Sequence, residues 1–120
     1  MKKILIIDDE TGIRQVLKIH LRGAGYEVDT AGTAAEGLAL VTEEHDLVIC
    51  DLKLPDMDGL EVIRMLKDRF ANLPMIVVSG FIDPDVVDNA VSEGVFEYLM
   101  KPFMKEDLLD VINRALSAGV

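Results

Sequence analysis

The sequence predicts an α/β domain built on one five-stranded parallel sheet with helices on both faces. Five short apolar runs are spaced along 120 residues, and each is followed by a segment whose apolar residues recur at helical spacing. The strand runs are apolar at consecutive positions, so both faces of the sheet need cover, as in doubly wound folds. Right-handed crossovers and short connections favour the strand order 2-1-3-4-5 with five helices.

The strands are predicted from short apolar segments. KILII, LVIC and MIVV are continuous apolar runs, YEVDTA alternates, and FEYLM closes the series. The predicted strands cover residues 3–7, 26–31, 47–50, 75–78 and 96–100. Cys50 lies within the third run and is interpreted as a small core residue, because its neighbours are apolar.

The helices are predicted from spacing and from capping signals. Three starts carry such signals, at Thr33 with Glu36, at Asp58 with Glu61, and at Asp83 with Pro84. The predicted apolar faces include Ile13, Val16, Leu17 and Leu21 in the first helix, Leu60, Ile63 and Leu66 in the third, Val87, Ala90 and Val91 in the fourth, and Leu108, Ile112 and Ala115 in the fifth.

Length and composition restrict the class of protein. We expect residues 1–120 to form one domain, large enough to bury a core. No apolar run approaches the roughly 18 residues of a membrane span, and the apolar run at the N-terminus is too short for a secretory signal. The single cysteine favours a reducing compartment, and we expect a cytoplasmic location. A net charge of −10 disfavours direct contact with nucleic acid.

Acidic residues follow two strands that are neighbours in the predicted order. Asp8, Asp9 and Glu10 follow the first strand, and Asp51 follows the third. Sites in doubly wound sheets form beyond the carboxyl ends of the strands, at the point where the winding reverses. Carboxylates this close repel one another unless a cation lies among them, and few hard oxygen ligands on loops suit Mg²⁺. The sequence therefore predicts a magnesium site at this edge.

Two further polar residues end the remaining strands of that edge. Ser79 closes the fourth strand before Gly80, and Lys101 follows the fifth before Pro102. Taken singly, Ser79-Gly80 can be interpreted as a turn, Lys101 as an exposed lysine, and the acids after the first strand as a helix cap, whereas Asp51 with the motif that follows it is more specific. Together, carboxylates, a divalent cation, a hydroxyl and an ammonium are the groups needed around a transferred phosphoryl group.

With these residues in place, the chain resembles a CheY-like receiver domain of a bacterial two-component response regulator over its whole length. The resemblance rests on Asp8-Asp9, Asp51 with Pro55 and Asp58-Gly59, Ser79-Gly80, Tyr98, and Lys101-Pro102-Phe103. It implies a phosphorylation-dependent signalling switch in a phosphorelay, with the kinase outside this chain. The chain would then be no enzyme beyond its own phosphorylation and dephosphorylation.

The resemblance implies a role for each acid. Asp51 is expected to be the phosphoacceptor, whose carboxylate attacks a phosphohistidine of a sensor histidine kinase or a histidine phosphotransfer protein. Asp9 and Asp51 are expected to bind Mg²⁺ directly, Lys53 through its backbone carbonyl, and Asp8 mainly through water.

It also implies a switch. Ser79 is expected to bind one phosphoryl oxygen and Lys101 another, with a Lys101–Pro102 bond that is often cis in this family. Phosphorylation would draw Ser79 inward, and Tyr98 would follow into the vacated space. The surface of the fourth helix, fifth strand and fifth helix would then change, controlling a partner protein, an output domain or a homodimer.

Four positions are candidates for tuning and docking. Lys53, two residues after Asp51, and Phe81, two after Ser79, occupy positions that adjust the lifetime of the phosphoryl group in this family. A long basic and a bulky aromatic side chain there predict a long-lived phosphoprotein. Arg14 and Lys18, on the helix after the acids, are candidate contacts for the phosphodonor protein, although a solvated charged face explains them equally well.

Alternative interpretations fit the sequence less well. His20 and His45 are interpreted as structural rather than as relay histidines. An aspartate-nucleophile phosphohydrolase typically has a second acid where this chain has Lys53. A flavodoxin-like electron carrier needs a Ser/Thr/Gly-rich phosphate loop where this chain has acids. The output stays open, because a stand-alone regulator and the receiver of a longer protein share these motifs.

Overall fold

The computed structural model describes residues 1–80 and 84–118, in which strands and helices alternate. The strands are β1 (Lys3–Ile7), β2 (Glu27–Ala31), β3 (Leu47–Asp51), β4 (Met75–Ser79) and β5 (Glu97–Met100). The helices are α1 (Thr11–Gly23), α2 (Ala34–Leu40), α3 (Gly59–Arg69), α4 (Pro84–Ser92) and α5 (Lys105–Ala118).

The strands form one parallel sheet in the order β2-β1-β3-β4-β5, which confirms the predicted topology. β1 and β3 are neighbours, and the winding reverses between them, so the carboxyl ends of these two strands open the crevice in which doubly wound folds place their sites. The peptide bond between Lys101 and Pro102, just beyond β5, is cis.

The core consists of two apolar layers, one on each face of the sheet. One layer packs α2, α3 and α4 against alternate strand residues and contains Cys50, which is fully buried as predicted. The other packs α1 and α5 against the remaining strand residues, with Leu17 and Ile112 among its buried members. Every central strand is covered on both sides, which is why its sequence is apolar at consecutive positions.

Two of the three predicted caps lie within the described residues and are present. The Thr33 side chain accepts a hydrogen bond from the Glu36 amide at 3.1 Å, and the Asp58 carboxylate accepts one from the Leu60 amide at 2.9 Å. Each satisfies an amide that has no partner within the first helical turn. The third predicted cap, Asp83, lies outside the described residues.

The predicted apolar faces of α1 and α4 were partly wrong. Val16 on α1 is 47% exposed. On α4, the side chain of Val87 lies outside the described part of the chain. Ala90 is fully buried, but Val91 is 62% exposed. Successive helical residues are about 100° apart, so a helix that centres one small residue on the sheet turns its neighbour outward.

Among the residues that the structure describes, none of the helices has the length and the apolar character of a membrane span.

Candidate functional site

The polar residues singled out at the strand ends meet at one edge of the sheet. Asp8 lies one residue beyond β1, Asp51 ends β3, Ser79 ends β4, and Lys101 follows β5. Because the four strands are parallel and adjacent, their carboxyl ends bring residues that are far apart in the sequence into one crevice. A pocket lined by Asp9, Glu10, Asp51, Lys53, Ser79 and Gly80 opens there to the outside.

Strand alternation divides these residues between the two faces of the sheet. Successive side chains of a strand point to opposite faces. The residues two positions before Asp8, Asp51 and Lys101 all pack in the layer of α1 and α5, which places these three side chains on the same side. Val77, two residues before Ser79, packs in the opposite layer, the one with α2, α3 and α4, and Tyr98 packs there too. The site therefore consists of an ionic half and a hydroxyl half.

The ionic half is organised around the Lys101 ammonium. Its Nζ lies 2.7 Å from Asp8 Oδ2 and 2.8 Å from Asp51 Oδ2. Glu10 Oε1 is a third, more exposed acceptor at 3.2 Å. The Asp8 and Asp51 carboxylates are almost completely buried, so the ammonium compensates charges that burial would otherwise make costly.

Burial and hydrogen bonding act in opposite directions on the pKa values of Asp8 and Lys101. Burial raises the pKa of the Asp8 carboxyl, and the hydrogen bond from Lys101 offsets this only in part. Burial also acts to lower the pKa of Lys101, but its bonds to Asp51 and Asp8 outweigh burial and raise that pKa above the ordinary value. Lys101 therefore stays charged at neutral pH.

Backbone hydrogen bonds hold the Asp51 carboxylate and the turn that follows it. The amide of Lys53 donates to Asp51 Oδ1 at 3.1 Å, which leaves Oδ2 to Lys101. The start of α3 closes on the same turn, where the Gly59 amide donates to the Leu52 carbonyl at 2.9 Å. A side chain at Gly59 has no room, because its Cβ would lie 2.6 Å from the Leu52 Cα and closer still to the Asp51 carbonyl.

The hydroxyl half consists of Ser79 and Tyr98. Ser79 is only 2% exposed, and its side chain hydrogen-bonds with the Tyr98 phenol. Tyr98 is half-buried and packs against the layer of α2, α3 and α4. Burial raises the pKa of its phenol, with the hydrogen bond from Ser79 acting the other way. The main chain joins the two halves, since the Lys101 amide donates to the Ser79 carbonyl at 2.8 Å.

The acids fit a hard divalent cation. Asp8, Asp9, Glu10 and Asp51 each bring a carboxylate oxygen within 4.8 Å of the others. Asp8 and Asp51 are buried and Asp9 is exposed, so the group faces the pocket rather than the core. Mg²⁺ prefers such oxygen ligands and retains several waters, which the open side of the pocket accommodates.

The candidates for tuning the phosphoryl lifetime and for docking differ in exposure and in their contacts. Lys53 is exposed beside Asp51, whereas Phe81 lies outside the described residues. Lys18 is partly exposed on α1. Arg14 turns back toward the site, where its guanidinium donates to the Asp8 carbonyl oxygen at 2.6 Å and to Thr11 Oγ1 at 3.2 Å.

Sequence reasoning missed three features of the site. Glu10 was noted as one of the strand-end acids, but its contact with Lys101 was not foreseen. Arg14 was interpreted as a contact for the phosphodonor protein or as part of a solvated charged face, and its hydrogen bond to the Asp8 carbonyl oxygen was not foreseen. The close approach of Gly59 to Asp51 had one signal, the glycine at the first position of α3.

The chain is similar in sequence to known proteins over most of its length. The family model described as the response regulator receiver domain matches residues 4–113. The DNA-binding transcriptional regulator NtrC of Klebsiella pneumoniae is 37% identical over 93% of this chain, and sporulation initiation phosphotransferase F of Bacillus subtilis is 32% identical over 96%. The chain spans 24% of the length of NtrC but 94% of the sporulation protein.

Solved structures give the same result at the level of the fold. A CheY-like receiver domain protein from Methanospirillum hungatei superposes with a TM-score of 0.95 at 37% identity, covering 99% of this chain and 96% of that one. A receiver domain protein from Clostridium thermocellum has a TM-score of 0.93 at 39% identity, covering 98% and 96%. Such domains are signalling switches rather than classical enzymes. By its sequence and its fold, the chain belongs to the response regulator receiver domain family.

Proposed function

We propose that residues 1–120 act as one receiver unit that accepts a phosphoryl group on Asp51. The observation that carries this proposal is the buried Asp51 carboxylate at the end of β3, which faces the Lys101 ammonium and the acids after β1. An Asp51 oxygen attacks the phosphorus of a phosphohistidine, and a P–O bond forms as the P–N bond breaks. The electron pair leaves with the imidazole nitrogen, which takes up a proton. The product is an acyl phosphate.

Two side chains are proposed to bind the transferred group. The Lys101 ammonium, now 2.8 Å from Asp51 Oδ2, pairs with one phosphoryl oxygen. The Ser79 hydroxyl, at the end of the neighbouring strand, donates to another. Fixed donors of this kind stabilise charge that develops during phosphoryl transfer without having to reorganise.

Mg²⁺ is the cation that the acids are proposed to hold. Asp9, Asp51 and the Lys53 carbonyl are the direct ligands, with Asp8 acting mainly through water. When bound, the cation neutralises negative charge on the phosphoryl group as it is transferred. This assignment is supported by the grouped carboxylate oxygens and by their exposure to the pocket.

The phosphodonor is proposed to be a sensor histidine kinase or a histidine phosphotransfer protein that docks on α1 and the loop after β5. Arg14 and Lys18 are the charged candidates on α1. Val16 and Ile19, on the same helix, are 47% and 69% exposed and offer apolar contact area next to the site. Because the Arg14 guanidinium already bonds within the chain, Lys18 is the stronger of the two charged candidates.

The output is proposed to pass through Ser79 and Tyr98. A phosphoryl group that recruits the Ser79 hydroxyl competes with its hydrogen bond to the Tyr98 phenol and so changes the surroundings of Tyr98. Val91, Met100 and Met104 are exposed apolar side chains on α4, on β5 and just before α5. A change there would alter contact with a downstream protein, an attached output domain or a second copy of the chain.

The phosphorylated form is proposed to be long-lived. Lys53 is exposed next to Asp51, where its long side chain hinders a water molecule that approaches in line with the acyl phosphate. Phe81 is the second residue assigned to this role. A half-life of seconds in the isolated protein would contradict this part of the proposal.

The first test is intact mass after incubation with acetyl phosphate and Mg²⁺. We expect the wild type to gain one phosphoryl group and to lose it in alkaline hydroxylamine, which cleaves acyl phosphates. Asp51→Asn and an EDTA-treated wild type should gain none. Asp46→Asn is the matched control, because Asp46 is an acid outside the site, and it should behave as the wild type.

Two results bear against the proposal. A wild type that gains no phosphoryl group from acetyl phosphate or from a phosphorylated donor protein, and that binds no Mg²⁺, would mean that the acids have no such function. Phosphorylation of Asp51→Asn as fast as the wild type would mean that the acceptor is another residue.

A further inference from the structure

Arg14 contacts the Asp8 carbonyl, and the proposed receiver function does not explain this contact. It lies in the first turn of α1, yet its side chain turns back over the loop that joins β1 to α1. Its Nη1 donates to the Asp8 carbonyl oxygen at 2.6 Å in a partly buried position, and its Nη2 donates to Thr11 Oγ1 at 3.2 Å. The guanidinium therefore bonds to the segment that carries the acids.

The end of β2 leaves room for this arrangement. A Cβ at Gly32 would lie 3.1 Å from Arg14 Nη1, which is closer than ordinary contact. The loop is tied to the same strand by its backbone, because the Asp8 amide donates to the Ala31 carbonyl at 3.0 Å. Asp8 is thus fixed through its amide by β2 and through its carbonyl by Arg14.

The hydrogen bond from Arg14 to the Asp8 carbonyl restricts the orientation of two carboxylates, those of Asp8 and Asp9. The bonded carbonyl belongs to the planar peptide unit between Asp8 and Asp9, so holding its oxygen restricts the backbone on both sides. Arg14 donates to a carbonyl rather than to a carboxylate, which leaves the carboxylate oxygens of both acids for other partners. Asp9 is exposed and needs such support to keep a fixed direction.

We infer that Arg14 is a positioning residue, which holds the Asp8–Asp9 peptide so that its two carboxylates are preorganised for the divalent cation. The inference rests on the proposed magnesium site. It assigns Arg14 to the site rather than to the docking surface. Outer partners that orient metal ligands typically change metal affinity by about 10- to 100-fold when they are removed.

The test is Mg²⁺ affinity, measured by titration calorimetry at fixed ionic strength on chains shown to be folded. Arg14→Ala should raise the dissociation constant by about tenfold. Arg22→Ala, two turns further along α1, is the matched control, because Arg22 is exposed and lies outside the site, and it should leave the dissociation constant unchanged. Gly32→Ala keeps the arginine but displaces it, so it should weaken binding severalfold in the wild type and have no effect in the Arg14→Ala background.

Phosphorylation kinetics separate this role from docking. If Arg14 positions the acids, Arg14→Ala should slow phosphorylation by acetyl phosphate and by a donor protein by similar factors. Unchanged Mg²⁺ affinity with slowing only for the donor protein would overturn the inference and make Arg14 a docking contact. If Arg14→Ala does not fold, Gly32→Ala decides alone, and unchanged affinity there overturns the inference.

The outcome for the wild type distinguishes this inference from the proposed function. A wild type that binds no Mg²⁺ and accepts no phosphoryl group overturns both. A wild type that binds Mg²⁺ with an affinity that neither Arg14→Ala nor Gly32→Ala changes overturns only the role of Arg14.

Discussion

Gly59→Ala should damage both the stability of the fold and the geometry of the phosphorylation site. Gly59 is the first residue of α3, and its Cα faces the turn that follows Asp51. The added Cβ would lie 2.6 Å from the Leu52 Cα and closer still to the Asp51 carbonyl. Both neighbours are backbone, so they cannot rotate away as the end of a side chain would.

The size of the effect follows from the required movement. Ordinary contact begins at 3.4 Å, so α3 and the end of β3 must separate by about 1 Å. Overpacking of this kind costs about 1–3 kcal/mol, and the better helix propensity of alanine returns less than about 1 kcal/mol. We expect a net loss of about 1–2 kcal/mol in the free energy of unfolding. A displacement of about 1 Å at a reacting group can cost up to about 100-fold in rate.

The assay combines urea unfolding with the initial rate of phosphorylation by acetyl phosphate, on chains that are more than about 99% folded. Leu47→Ala is the first control. It should lose about 2–5 kcal/mol, since Leu47 is fully buried at the opposite end of β3, but the folded chain should react at the wild-type rate. Gly12→Ala is the second control, with no neighbour within 4 Å of the added Cβ, and should be slightly stabilising.

Two results would refute this reasoning. Wild-type stability and rate in Gly59→Ala would mean that the close approach to Asp51 is relieved at no cost. An equal slowing in Leu47→Ala would mean that the rate follows global stability rather than the position of Asp51.

Three further predictions concern groups outside the phosphorylation chemistry. His45→Ala should lower the free energy of unfolding by about 1–3 kcal/mol, because the buried imidazole bonds the Thr42 amide at 3.0 Å and Asp29 at 2.9 Å, whereas His20→Ala should change it by less than about 0.5 kcal/mol. Hydrogen bonds from the Ala35 and Ala34 amides hold the pKa of Asp56 below its ordinary value. Asp56 therefore stabilises the fold above its pKa in the unfolded chain, about 3.9, and this stabilisation is lost as the pH falls through its pKa in the folded chain. Urea unfolding between pH 5 and pH 3 should therefore show a steeper loss in the wild type than in Asp56→Asn, and parallel profiles would contradict this. Cys50 should resist a thiol reagent in the folded chain and react fully in urea, because burial raises its pKa and excludes the reagent; rapid labelling of the folded chain would contradict it.

Local signals in the sequence were enough to predict the strands and most helix starts. The apolar runs of β1, β3 and β4 match their predicted positions, because strands that are buried on both faces leave a continuous apolar run. The caps at Thr33 and Asp58 were visible for a similar reason, since a cap depends on residues only two or three positions away. The prediction that Val91 is buried was wrong, because the face that a short helix presents to a sheet depends on packing as well as on the spacing of its apolar residues.

The burial of His45 was a matter of long-range packing. The sequence placed it in a polar loop and assigned it a structural role, but its partner Asp29 lies on β2, 16 residues earlier. The contact between Asp56 and the start of α2 has the same character, because it joins two segments 22 residues apart. Neither pair leaves a periodic pattern that a single sequence reveals.

The sequence by itself determined which residues end the strands, and strand alternation then determined the face on which each lies. Asp8, Asp51 and Lys101 share one face, and Ser79 and Tyr98 share the other, for reasons of backbone geometry alone. Only the tertiary structure decided which atoms meet. The Lys101 ammonium reaches Asp8 across 93 residues and Asp51 across 50, and Arg14 folds back on the Asp8 carbonyl. Long flexible side chains have many rotamers, and the packing of the helices against the sheet restricts which of them are possible.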